Sequence, residues 1–329
     1  ANVMKKIVVE SHIPYIKGLI EPWAEVQYLA PEDITAEAVR DADALVVRTR
    51  TRCNAALLDG SRCSFVGTAT IGTDHIDIPY CESRGIVVRN APGCNAPAVA
   101  QYVHAVIGAW LATHPLPRLT LGVVGVGHVG SIVSRWARDM GYEVLECDPP
   151  RADREGGEFV DIEEIARRAD IITFHTPLTA DGRYPTLRLA GERFFSILAK
   201  CRLVINAARG GVVDEAAAMA SGVDLAIDCW EHEPRINEAL CRRAFVATPH
   251  IAGYSAEGKL RAVAMVISAL NEHFGWRITP QRPPERGTAP VTLDAVMRSY
   301  DALADSAALK AQPGAFEPLR NNYPYRTEV

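Results

Sequence analysis

The stretch "LTLGVVGVGHVGSIVSRWARDMG", residues 119–141, constrains the fold of this chain more than any other. A β-branched run leads into glycines at 125, 127 and 130, spaced G-x-G-x-x-G, and apolar residues at helical spacing follow. Alone, that spacing is a weak signal. Between a strand and a helix it gains a physical meaning. The helix N-terminus presents unpaired N–H groups and the positive end of its dipole, and glycine lets a pyrophosphate approach the backbone closely. The next strand-like run, "YEVLEC", ends at Asp148, 18 residues past Gly130. A carboxylate there can accept hydrogen bonds from an adenosine ribose and repel a 2′-phosphate. Gly125, Gly127, Gly130 and Asp148 thus read as a dinucleotide site that prefers NAD to NADP, with Arg151 close enough to soften the preference.

The rhythm around this stretch is that of a parallel α/β protein. A first series of runs, "KKIVVE", "DALVVRTR", "SFVGTAT" and "GIVVRN", precedes a second: "LTLGVVG", "YEVLEC", "DIITFHTP", "RLVINAA", "VDLAIDCW" and "AFVATPH". Six strands with helices such as "DIEEIARRA" between several of them suit a Rossmann-type doubly wound sheet. Two apolar-rich helix candidates, 96–113 and 256–274, flank the second series. The expected partition is a discontinuous substrate domain, residues 1–97 with a returning helix at 255–275, enclosing a nucleotide domain at 98–254. Residues 276–329 form a linker, "WRITPQRPPERGTAP", and a short C-terminal extension. One helix candidate lies there, around "LDAVMRSYDALADSAALK", and no core of its own, so the extension is expected to pack on this chain or on a partner.

With 329 residues, 48% of them hydrophobic, the chain can bury a sizeable core, and a formal charge of -5 gives no basic excess. Neither nucleic acid nor an anionic membrane is therefore an expected partner. The 8 cysteines contain no C-x-x-C pair, which predicts neither a zinc site nor a compact disulfide framework, and a reduced, cytoplasmic setting. The start, "ANVMKKIVVE", has no long apolar stretch, so neither a secretion signal nor a membrane span is expected.

Chemistry-bearing residues gather where strands of the second series end, which is where ligands of open α/β sheets bind. "INAARGG" supplies Arg209, "DCWEHEP" supplies Asp228, Glu231, His232 and Glu233, and "TPHIAGY" supplies His250. Oxidation of a 2-hydroxy acid needs a base for the hydroxyl proton, a cation for the carboxylate and a hydride acceptor. Histidine, arginine and a nicotinamide meet those needs, and a carboxylate beside the histidine would orient its ring. Spacing does not choose among Glu231, His232 and Glu233. Taken singly, each residue has an ordinary structural reading; at successive strand ends behind a nucleotide fold, the set points to catalysis. In the first series "VVRTRT" places Arg48, Arg50 and Arg52 with Thr49 and Thr51 at a strand end, where they suit a phosphate or carboxylate, and Lys259 is a further candidate. His75, His175, Cys94 and Cys229 read as structural.

From "GTATIGTDHID" through "NAPGCNAPAVAQYV", "GVVGVGHVG", "INAARGGVVDE", "DCWEHEP" and "PHIAGYSAEGK", over roughly residues 5–275, the chain resembles the D-2-hydroxyacid dehydrogenases. That resemblance implies a flavodoxin-like substrate domain beside the nucleotide domain, Arg209 as substrate anchor, Glu233 as partner of the histidine, and His250 as acid/base. It also implies NAD contacts at His128, Val129, Asp148, Thr176 and Asp228 and at the backbone near Ala207 and Gly253. Substrate contacts follow at Thr49, Thr70 and Tyr254, beside Arg48. No metal is implied. "APGCNA", "CDPP", "DGRYPTL" and "HIAGYSAEGK" resemble a branch acting on a phosphorylated 2-hydroxy acid, and a homodimer is expected. The rivals are a dehydrogenase of another such acid, notably 3-phosphoglycerate, and an NAD(H)-sensing binding protein on the same fold.

Overall fold

A computed structural model describes residues 3–329, which form two compact units: residues up to 95 together with 256–286, and 96–255 together with 287–329. In the first unit the strands are β1 (Lys6–Glu10), β2 (Glu25–Leu29), β3 (Ala44–Val47), β4 (Phe65–Thr68) and β5 (Val87–Arg89). They pair in parallel in the order β2-β1-β3-β4-β5, the flavodoxin-like order. β3 and β4 are buried at every position, as central strands covered on both faces must be, which is why they read as unbroken apolar runs. The helix Ala256–Phe274 covers one face, where Val263, Val266, Ile267 and Leu270 cluster with Ile7, Val9 and Phe65. The sequence reading lacked β2. "EVQYL" lies at the sheet edge with no position fully buried, so its hydrophobic signal is weak.

The second unit carries β6 (Thr120–Val124), β7 (Glu143–Cys147), β8 (Ile171–Phe174), β9 (Leu203–Asn206), β10 (Asp224–Ile227) and β11 (Val246–Ala247). Their order is β11-β10-β9-β8-β6-β7, all parallel. Direction of winding reverses at β6, which has β7 on one side and β8 on the other. The carboxyl ends of these strands are therefore the switch point where a doubly wound sheet opens a crevice. Behind the sheet, the helix Ala96–Thr113 buries Tyr102, Ile107 and Trp110 in a cluster shared with Leu121, Val123 and Ile205.

Residues 287–329 contain two helices where one was expected, Leu293–Ser299 and Ala302–Ala311. The break is local chemistry. Tyr300 is extended (φ -153°, ψ 131°), and the Asp301 side chain accepts a hydrogen bond from Ala304 N at 3.1 Å, starting a new helix. A third short helix, Phe316–Asn321, follows. All of this packs on its own unit: Val291, Val296 and Tyr300 join the cluster around Ala96–Thr113, and Leu309 and Phe316 join the one containing Phe174 and Trp230. The expected linker has no regular element, yet its Ile278 is buried and exchanges two backbone hydrogen bonds with the Asn271 side chain, both 2.9 Å. Among the described residues no helix is long and apolar enough to cross a membrane. All eight cysteines are free and buried. Ala1 and Asn2, at the start read for a secretion signal, lie outside the described residues.

Candidate active site

Each glycine of the G-x-G-x-x-G turn answers a separate physical demand. Gly125 has φ +87°, and a methyl group there would stand 2.5 Å from the His175 carbonyl oxygen. At Gly130 a methyl would meet the Gly125 carbonyl oxygen at 1.9 Å, so the third glycine lets the helix close onto the turn. Gly127 differs: nothing lies within 4 Å of where its Cβ would be. That open side faces the start of the helix His128–Asp139, whose N-cap is Gly127 and whose first N–H groups have no side-chain cap. A pyrophosphate fits this combination of open space and unfilled donors. Beside the turn, the Thr176 hydroxyl oxygen is buried with no hydrogen-bond partner among the described residues.

Asp148 follows β7 and is spent partly on the turn itself. One carboxylate oxygen accepts Val126 N–H at 2.8 Å, and the other accepts Arg151 N–H at 3.0 Å and caps the next helix. The Arg151 guanidinium, considered above as a feature that softens the preference for NAD, is engaged elsewhere: it donates to the Val126 carbonyl at 2.7 Å and pairs with Glu155 at 2.8 Å. His128 is exposed and Val129 half-buried at the head of the helix.

The catalytic candidates stand on the loops after β9, β10 and β11. Asp228, 1% exposed, accepts hydrogen bonds from Thr248 Oγ1 (2.7 Å), Ile251 N (2.8 Å) and Ala252 N (3.1 Å). Burial pushes its pKa up, against the opposing pull of His250 and those donors. The same bonds pin the loop after β11, where His250 is held at φ +57°, a conformation uncommon for a side chain larger than glycine's. His250 Nδ1 lies 2.8 Å and 3.0 Å from the two Glu233 oxygens, with both side chains largely shielded. Glu233 also accepts Trp230 N–H at 2.9 Å. Burial pushes the Glu233 carboxyl up, but the hydrogen bond and charge of His250, with the Trp230 N–H, more than offset this and hold it below its ordinary value.

The choice that spacing left open has a geometric answer. Glu231 is turned to the backbone N–H of Glu215 at 3.1 Å, His232 is exposed, and Glu233 alone of the three meets the imidazole. Arg209 is half-buried just beyond β9; Nη1 donates to the Ala208 carbonyl at 2.9 Å, and it has no carboxylate partner among the described residues. Ala207 and Gly253 are both half-buried on these loops. Cys229 is no nucleophile, since burial holds its thiol well above the ordinary range and Sγ donates to the Ala208 carbonyl at 3.5 Å. Together with Glu233 and His250 it places three possible metal-ligating atoms within 4.8 Å of one another, but Glu233 and His250 are hydrogen-bonded to each other and the thiol stays protonated.

In the first unit Arg48 is already paired. Its Nε meets the buried Glu10 carboxylate at 2.8 Å, so its charge is neutralised at the end of β3, whereas Thr49, Arg50 and Arg52 are exposed. Thr70 donates to the Gly72 carbonyl at 2.9 Å and shares a 2.6 Å hydrogen bond with Thr68, which meets His75 Nε2 at 3.0 Å. Since Thr70 gives its proton to Gly72, Thr68 donates to Thr70 and His75 donates to Thr68. His75, read as structural, thus braces a proposed substrate contact. His175 is half-buried with Nε2 2.8 Å from Thr173 Oγ1, and desolvation drives its pKa down to about 3, so it is neutral. Cys94 is buried, its thiol pushed up to about 11. Lys259 lies on the first turn of Ala256–Phe274.

The sequence reading missed the groups that hold these loops. Tyr102 donates to Thr248 (2.6 Å), which donates to Asp228, forming a buried chain behind the loop that carries His250. Arg326 binds the carbonyls of Ala252, Ile251 (2.9 Å) and Ala98 (3.0 Å) and stacks 4.4 Å from the Tyr300 ring centre. Arg320 donates to the Tyr254 hydroxyl at 3.0 Å. The interleaved arginines and tyrosines of "PLRNNYPYR" were the available signal.

Comparison with known proteins gives the family. Residues 98–252 match the family model of the D-isomer specific 2-hydroxyacid dehydrogenase NAD binding domain. The chain is 46% identical to an erythronate-4-phosphate dehydrogenase of Bacteroides fragilis, over 98% of this chain and 97% of that one. It is 44% identical to the protein of that name from Bacteroides thetaiotaomicron, over the same shares. Among solved structures, NAD+-bound 3-phosphoglycerate dehydrogenase of Entamoeba histolytica shares the fold, with a TM-score of 0.68 at 23% identity, over 85% of this chain and 99% of that one.

Proposed function

Because the chain belongs to the D-isomer-specific 2-hydroxyacid dehydrogenases and, within them, to the erythronate-4-phosphate dehydrogenases, we propose that it oxidises 4-phospho-D-erythronate at C2 with NAD. The product is (R)-3-hydroxy-2-oxo-4-phosphobutanoate, an intermediate on the way to pyridoxal 5′-phosphate. The observation that carries this reading is the 2.8 Å contact of His250 and Glu233 on loops beside an Arg209 with no carboxylate partner among the described residues. NAD, held at Gly125, Gly127, His128, Val129, Gly130, Asp148, Thr176, Ala207, Asp228 and Gly253, supplies the acceptor for the hydride from C2.

The chain's own residues do the rest. Glu233 accepts the Nδ1–H of His250, which leaves Nε2 as the nitrogen that takes the proton of the C2 hydroxyl as the carbonyl forms. The carboxylate then stabilises the imidazolium. Arg209 binds the substrate carboxylate and steadies the charge that builds on the C2 oxygen. Tyr254, Thr49, Thr70 and Arg48 are the further substrate contacts of this reading. Arg48 acts through a charge shared with Glu10, and the exposed Arg50 beside it has no ion pair among the described residues.

On this reading the first unit binds substrate, the second binds NAD, and the enzyme works in the cytoplasm as a homodimer. Sedimentation at the mass of a single chain in micromolar solution would overturn the dimer. The substrate assignment is tested by NADH formation with 4-phospho-D-erythronate, 3-phospho-D-glycerate and an unphosphorylated acid side by side, with a 2-oxo acid present to reoxidise tightly held cofactor. Turnover with phosphoerythronate above the others is expected. Preference for phosphoglycerate would name the wrong branch, and cofactor binding without turnover of any acid would point to an NAD(H) sensor.

A further inference from the structure

The C-terminal extension reaches the catalytic loop through a short helix, Phe316–Asn321. Phe316 is 1% exposed and anchors it in the cluster shared with Leu309 and Trp230. Arg320 comes one helical turn after Phe316 and so lies on the same, inward face. There its Nε donates to the Tyr254 hydroxyl at 3.0 Å, with the guanidinium 5.9 Å from the ring centre. Tyr323 packs edge-on against the same ring at 6.1 Å and is itself fixed by Asp305 at 2.8 Å. The Tyr254 side chain is thus oriented by two groups of the extension.

Arg320 is half-buried and has no carboxylate within ion-pair distance among the described residues. Its charge nevertheless acts on the catalytic centre: it helps to hold the Glu233 carboxyl down and, with Arg209, opposes the rise of the Cys229 thiol. Arg209 and Arg320 are thus two half-buried cations with no carboxylate partner among the described residues, both acting on the stretch that carries Cys229 and Glu233. Leaving both unneutralised is costly unless a ligand completes them, and a ligand with two anionic ends does so. Arg209 takes the carboxylate. A phenol that accepts a hydrogen bond from a guanidinium is polarised and becomes a stronger donor to an anion.

We propose that Arg320 is a positioning residue that sets specificity for the phosphorylated end of the substrate, acting through the hydroxyl of Tyr254. The inference rests on the function proposed above. Its test compares wild type, Arg320→Gln, Arg320→Lys and Tyr254→Phe, reading kcat and KM for 4-phospho-D-erythronate and for D-erythronate. Arg320→Gln is expected to raise KM for the phosphorylated acid roughly 10- to 100-fold while kcat changes less than about threefold, because one charge-assisted hydrogen bond is lost. The preference for the phosphorylated acid falls by the same factor, Arg320→Lys restores part of it, and adding Tyr254→Phe to Arg320→Gln costs little more. Equal losses on both acids, or a fall in kcat alone, would refute the inference. Melting curves check that the glutamine variant is folded; should it fail to fold, Tyr254→Phe carries the same expected loss. If wild type prefers 3-phosphoglycerate, the function proposed above fails, and the Arg320 inference is judged by the same ratio on that acid against D-glycerate.

Discussion

In the proposed mechanism His250 depends on two carboxylates with different tasks. Asp228, buried and accepting three hydrogen bonds, fixes the backbone of the loop; Glu233 meets the ring. His250→Asn should lower kcat by about 10²–10⁴-fold, with NADH binding followed by fluorescence unchanged, since the side chain removed is the proton acceptor. Glu233→Gln should fall in the same direction but less far. The pair also ties stability to pH. The Glu233 carboxyl is held below its ordinary value of 4.5 in the folded state, so its stabilising share is whole above that value and is lost as pH falls through the depressed one. Acid denaturation of Glu233→Gln, followed by circular dichroism, should therefore lose less stability below pH 4.5 than wild type does. The places of Arg209 and His250 just past strand ends were legible, because residue type and place together carry meaning there; Glu233 was separated from Glu231 and His232 by the resemblance alone, because its contact with His250 spans 17 positions. Arg320 was not legible, since its contact with Tyr254 spans 66 positions and no local pattern encodes it.

At the scale of elements, the strand–glycine–helix turn makes the cleanest separation between folding and binding. Gly127→Ala should leave the melting temperature nearly unchanged and weaken NAD binding, because its Cβ enters open space that a pyrophosphate would need. Gly130→Ala should destabilise the second unit outright, because its Cβ would fall 1.9 Å from a backbone oxygen that has nowhere to go. Calorimetry with and without NAD distinguishes the two, and equal behaviour would count against the assignment of this turn. The helices Ala96–Thr113 and Ala256–Phe274 were readable to the residue, since long apolar runs between polar ends leave little choice. The edge strand β2 and the break at Tyr300 were not. One lacks a buried face; the other depends on a single aspartate cap that interrupts an otherwise continuous helical pattern.

At the scale of the molecule, the C-terminal extension is part of the second unit's core and braces the loop that carries His250. Phe316→Ala should cost about 3–5 kcal/mol by the usual price of a buried phenylalanine, and should also raise KM, because the helix bearing Arg320 loses its anchor. A stability loss without a change in KM would separate the extension from the site. The central claim is that the loops after β9, β10 and β11 collect a proton from the C2 hydroxyl while the hydrogen on C2 leaves as hydride. It is tested most directly by a single turnover with 4-phospho-D-erythronate carrying deuterium at C2 and enzyme in excess, followed by mass spectrometry of the reduced cofactor. The account predicts NADH heavier by one deuterium, formed by wild type and nearly abolished in His250→Asn. Unlabelled NADH, or labelled NADH formed at an undiminished rate by the variant, would contradict it.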